Sequence, residues 1–230
     1  MSDFDNIIDE CSFSNFIKTL TVKIIKCVAP ITTESMTDAF SIKYGIDVID
    51  KVYAINNYDN NCKLTDPNDF INKQADYSEW KLGLKTLDKN GCGAIATYNA
   101  LRVIDRPSNL ANVIYYYDIT SGDLLFGTFG ISPLSIKKYF DSNNILCNHY
   151  YYNFKLLKNE CEKIDENQVI ILLYMCNASN VFEGAHYITL KKEGSGYFAY
   201  NARIDYSTNL CDFYTNGRLL RGWIIGWKKR

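Results

Sequence analysis

The chain has 230 residues but only two histidines, His149 and His186, so any base working near neutral pH must come from one of two positions. Its eight cysteines include no CxxC or CxC pair. Structural zinc sites usually draw their ligands from such close pairs, so neither a metal centre nor a cofactor is expected. Charge of one sign is missing as well. A formal net charge of −1 gives no global field to attract nucleic acid or an anionic membrane. The one basic run, "WKKR" near Arg230, reads as a solubilising tail. Long apolar runs are absent too. The most apolar early stretch, "TLTVKIIKCVAP", is short and carries Lys23 and Lys26, so no membrane insertion is expected. The opening "MSDFDNIIDECSF" is acidic where a secretory leader would be basic. These features point to a cytoplasmic protein with reduced thiols, with export by a leaderless route left open. The GxxG in "GTFGISPLSI" lacks the lysine and further glycines of a phosphate loop and is expected only to shape entry into a helix.

What is present is the composition of an ordinary globular protein, 47% hydrophobic and 22% charged, on a chain long enough for a large core. No internal repeat or low-complexity block interrupts it. Residues 1–75 read as an N-terminal extension. It comprises one or two amphipathic helices in "DNIIDECSFSNFIKTLTVKIIKCV", another in "TTESMTDAFSIKYG", and the start of a polar loop over 56–80. From Gly93, "AIATYNALRVI" puts Ile95, Tyr98, Leu101 and Ile104 on one face of a helix that stops before Pro107, with Asp88 and Asn90 as upstream caps. A second helix follows in "SPLSIKKYFDSNN", with Ser132 as N-cap and Pro133 in the first turn. Thereafter "QVIILLYMC", "AHYITLKKEGSGYFAYNARI" and "LLRGWIIGWKK" read as strands, and the glycines of "KKEGSGYF" as a hairpin. Helices come first and an antiparallel sheet second.

Cys92, in "DKNGCGAIATYNAL", stands between two glycines where a helix begins. A thiol there meets the partial positive charge of unpaired helix N–H groups, which favours the thiolate. The glycines would keep side chains from crowding it. A thiolate also needs a base, and His186 opens the strand "HYITL". A third group should hold the imidazole, and Asn201 in "YFAYNAR" lies across the glycine hairpin, where antiparallel pairing brings it near. His149, in "CNHYYYNF", has no such partner and reads as an exposed or packed neighbour of aromatic rings. The tyrosines around it are those of an edge strand or a cleft wall.

Cysteine, histidine and asparagine in that order and setting resemble the papain-like cysteine peptidases. "NGCGAIATYNAL", "GAHYITL" and "GYFAYNAR" are similar to the compact bacterial branch that includes the bacteriocin-processing, double-glycine peptidases. The interval from Cys92 to His186 is shorter than the roughly 130–150 residues of papain itself, which fits that branch. The resemblance covers about residues 80–205 and implies a papain-like α+β fold in a single domain over residues 1–230. It implies a peptide or protein substrate, no nucleic-acid partner, and a Cys92–His186–Asn201 triad. The family's oxyanion glutamine, placed shortly before the cysteine, is replaced there by Thr86. Asn90 and Gln74, the latter well upstream, are the amide candidates, beside the backbone N–H of Cys92. No transporter segment follows, so coupling to export is not expected. Two other classes stay open: a papain-fold acyltransferase or transglutaminase-like enzyme, and an inactive papain-fold binding module. The oligomeric state is not legible.

Overall fold

The structure is a computed structural model that describes Tyr53 and residues 69–227, apart from 121, 125, 126, 128, 152, 180–183 and 216. The helices expected before residue 50 lie outside these residues. The described elements begin with a 3-10 turn at Gln74–Tyr77, then a small hairpin of β1 (Lys81–Leu82) and β2 (Lys85–Thr86). Four helices follow before the main sheet is entered. They are α1 (Leu87–Asn90), α2 (Cys92–Val103), α3 (Leu110–Ile119) and α4 (Pro133–Ser142). Then come β3 (Cys147–Tyr151), α5 (Phe154–Cys161), β4 (Gln168–Met175), β5 (Ala185–Glu193), β6 (Gly196–Tyr200), β7 (Tyr206–Ser207) and β8 (Arg218–Gly226). This is the α+β class, helices before an antiparallel sheet.

The six long-sheet strands lie in the order β3-β8-β4-β5-β6-β7, with every neighbouring pair antiparallel. Two cores form, one on each face. On one face Val169, Ile171, Leu173, Tyr187, Trp223 and Ile225 pack with α2, α3 and α4. On the other, Ile170, Leu172, Ile188 and Ile224 pack with Leu157 and Cys161 of α5. Central strand β4 is therefore covered on both sides, which is why "QVIILLY" is a continuous apolar run without alternation.

Local signals explain most element ends. Ser132 caps α4 by accepting from Leu134 N–H at 3.3 Å, with Pro133 in the first turn, and β5 and β6 join through Gly194–Ser195. Gly127 and Gly130 both take φ of +75°, so the GxxG shapes the turn into that helix. Two helices carry weaker sequence signals. Helix α3, "LANVIYYYDI", is apolar nearly all round and tyrosine-rich, and α5 has only eight residues. The expected caps of α2 need correction. Asp88 and Asn90 belong to α1, and the residue before α2 is Gly91, with no side-chain cap.

Candidate active site

Helix α2 runs along β5 and is pinned to it by the buried Thr189 hydroxyl, which donates to the carbonyl of Ala96 at 2.9 Å. That seat brings the first turn of α2 to the start of β5. The glycines flanking Cys92 serve packing rather than access. A methyl on Gly91 would lie 2.3 Å from the Leu87 side chain, and one on Gly93 would lie 2.7 Å from Ile131 and 3.4 Å from Tyr187. Cys92 is consequently only 9% exposed. Burial pushes its thiol above the ordinary value, while the backbone N–H groups of Tyr187, Gly93 and Cys92 itself pull the other way. The Tyr187 N–H at the sulfur sets Cys92 beside the His186–Tyr187 peptide bond.

His186 opens β5 directly after Ala185. Its Nε2 lies 2.7 Å from the main-chain carbonyl of Asn201, in the bend that follows β6. A carbonyl only accepts, so Nε2 carries the proton and the neutral ring keeps its lone pair on Nδ1. Burial lowers the imidazole pKa from its ordinary value. The Asn201 carbonyl opposes that shift, and the charge of Arg203 adds to it. The ring meets Tyr174 edge-on at 6.0 Å.

Asn201 therefore meets His186, but not through its side chain, and the expected role of the amide is corrected. Its Oδ1 accepts from Gln74 N–H at 3.1 Å and its Nδ2 donates to Gln74 Oε1 at 3.3 Å. The physical reason is backbone geometry. At φ +57° Asn201 is in the left-handed region, where asparagine is tolerated, and the chain turns so that the carbonyl faces the ring.

Gln74, distant in sequence, is returned to the site by a strap laid along α2. The fully buried Asn99 holds Ile71 at both its N–H and its carbonyl, each at 2.9 Å, and Arg102 Nε holds the Asp69 carbonyl at 2.9 Å. Gln74 Nε2 then donates to the Asp88 carbonyl at 2.9 Å, on the short helix leading into Cys92. Hydrogen bonds thus run from His186 through Asn201 and Gln74 to Asp88. Asn90 closes α1, with its main-chain carbonyl against Gly130.

Other expected residues lie elsewhere. No hydrogen bond joins the Cys92 thiol to the His186 ring among the described residues. His149 is on β3, stacked on Trp223 at 5.0 Å and 3.4 Å from Arg221 Nη1, so it is a packed aromatic neighbour. Burial, Arg221 and Lys137 bring its pKa down to about 4. Cys92, Cys147, Cys161 and Cys211 are free thiols. Among the described residues no group of three or more His, Cys, Asp or Glu could hold a metal, and no helix is long and apolar enough to cross a membrane. A polar groove lined by Lys158, Lys192 and Tyr197 lies at the hairpin end of the sheet, far along β5 from His186. Two contributors had no residue signature to read, because the Tyr187 N–H and the Asn201 carbonyl are main-chain groups. Gln74 did carry a signal as the lone upstream glutamine. Comparison of the chain with protein-family models, curated proteins and solved structures finds no match.

Proposed function

We propose that the protein is a papain-like cysteine peptidase that hydrolyses a peptide or isopeptide bond, with Cys92 as nucleophile and His186 as base. The observation that carries this reading is the His186 Nε2 contact with the Asn201 carbonyl, beside a helix-start cysteine. It commits Nε2 as donor and leaves Nδ1 as the nitrogen that takes a proton. Cys92 Sγ gives its proton to Nδ1 as it attacks the substrate carbonyl carbon. The oxygen becomes an oxyanion, facing the Cys92 N–H and the second N–H of Gln74 Nε2. Collapse expels the amine, which takes the proton from His186, and water then cleaves the thioester by the same base. Asn201 and Gln74 act by position: one fixes the tautomer, the other joins the ring's support to the helix that carries the sulfur.

One observation favours the reading as an inactive binding module. Burial pushes the thiol pKa up and the imidazole pKa down, both shifts favouring the neutral forms over a thiolate–imidazolium pair. A neutral pair still reacts by general-base transfer when substrate arrives, whereas a module does not react at all. Incubation with a mixed peptide pool separates them, read as new amino termini by mass spectrometry with Cys92→Ala as control. Cleavage lost in the variant supports the peptidase, and no cleavage by the wild-type protein supports the module. Added hydroxylamine distinguishes acyl transfer, because a transferase yields the hydroxamate in preference to the acid.

A further inference from the structure

Arg221 of β8 is only 8% exposed, yet it forms no ion pair among the described residues. Its guanidinium lies 4.0 Å from the centre of the Tyr151 ring, and Nη1 is 3.4 Å from His149 Nε2. A guanidinium has five N–H donors, so one long contact and one stacked ring leave most of the fork uncommitted. None of its nitrogens is among the fully buried atoms without a partner, so the fork keeps an opening to solvent. On α4, which packs against β3 and β8, the acid Asp141 is already taken by Lys137 at 2.7 Å. A buried cation with no anion is costly, and a free fork is the shape that binds carboxylates in two places at once.

Its position gives that fork a use. The pairing register sets Tyr151, Arg221, Leu173 and Tyr187 in one cross-strand row on β3, β8, β4 and β5. The row lies on the α2 face, at the end of the sheet where Cys92 meets Tyr187. The Tyr187 phenol feels both the Cys92 sulfur and the Arg221 charge. Two strand spacings separate β8 from β5, about 10 Å.

We propose that Arg221 binds a substrate carboxylate, and that the peptides this protein acts on carry a negative charge. The carboxylate is an acidic side chain or a free peptide C-terminus. This inference rests on the peptidase reading for its substrate, but the binding step needs no turnover.

The test is binding of synthetic hexapeptide pools to the Cys92→Ala protein, followed by affinity capture and mass spectrometry. One pool carries Asp at each position with an amidated end, a second is neutral with a free C-terminal carboxylate, and a third is neutral and amidated. The expected result is at least tenfold tighter binding in the first or second pool than in the third, and which of the two responds names the source of the charge. Adding Arg221→Gln should erase the preference. Adding Arg221→Lys, which keeps the charge but not the fork, should retain part of it and guards against a variant that fails to fold. Equal binding of all three pools, or a preference that survives Arg221→Gln, would overturn the proposal. The catalytic reading fails separately: charge-dependent binding without cleavage by wild-type protein leaves Arg221 standing, and cleavage without charge preference removes Arg221 alone.

Discussion

At the scale of single residues, Cys92 was the most legible feature of the chain, although the reason for its glycines was not. They read as clearance for a nucleophile, but what they prevent is collision with Leu87 and Ile131. Sequence reveals that a side chain is small and not what approaches it. Because Cys92 is buried but small, Cys92→Ala should lower stability by about 1 kcal/mol while abolishing turnover. Chemical denaturation beside a cleavage assay checks this, and a loss of several kcal/mol would favour a packing role. Asn201 offers a sharper discrimination. If its carbonyl holds His186, Asn201→Gly keeps both the carbonyl and the left-handed backbone and should stay within about tenfold of wild-type kcat. Asn201→Ala keeps the carbonyl but strains the backbone by about 1–2 kcal/mol, so it should be the slower of the two. If the side-chain amide were the orienting group, the two variants would be equally slow.

Among the elements, what could be read depended on start and stop signals rather than on a polar face, since every residue of α2 from Cys92 to Leu101 is buried. Helices α2 and α4 have caps, prolines or a clear stop, and their positions followed from the sequence. Helix α3 has none of these beyond Asn109, whose side chain accepts from Ala111 N–H at 2.7 Å, and its three tyrosines blur the line between its buried residues and the exposed Asn112 and Ile119. Its end carries a feature no periodicity reveals. Asp118 and, in the following loop, Asp123 are buried side by side, and both Asp118 carboxylate oxygens lack a partner. Burial raises both pKa values, with that of Asp123 reaching about 7. The unfolded chain releases these protons near pH 4, so between about pH 4 and 7 the folded state binds more protons and loses stability as pH rises. Asp118→Asn should therefore be more favourable at pH 8 than at pH 5, relative to wild type, by on the order of 1–3 kcal/mol. Urea unfolding of both proteins at the two pH values measures this, and a difference independent of pH would mean that the pair is ionised throughout.

For the whole molecule, the order of helices before sheet could be read from sequence, and the way the parts converge could not. Strand order β3-β8-β4-β5-β6-β7 brings the start of β5, the bend after β6, and the Gln74 strap to one end of the sheet. Such convergence depends on contacts between residues far apart in the chain, which no local pattern encodes. Gln74 shows this best, since only the hold of Asn99 on Ile71 explains how so remote a residue reaches the segment before Cys92. The sheet also separates His186 from His149: the second is packed on Trp223, on a strand three positions away.

If Cys92 is a nucleophile made reactive by His186, the molecule contains its own reference thiol. Cys211 is an exposed thiol whose sulfur meets only the Tyr214 hydroxyl among the described residues, at 3.4 Å, so a comparison without a histidine is available in the same sample. The measurement is the rate of labelling of each cysteine by a peptide vinyl sulfone at pH 7, mapped by peptide mass spectrometry in wild type, His186→Ala and His149→Ala. Cys92, though buried, should label faster than Cys211 in the wild-type protein. His186→Ala should slow Cys92 by about 10²–10⁴-fold and leave Cys211 unchanged, while His149→Ala leaves both within a few-fold. Labelling that favours Cys211, or that is indifferent to His186, would contradict the account.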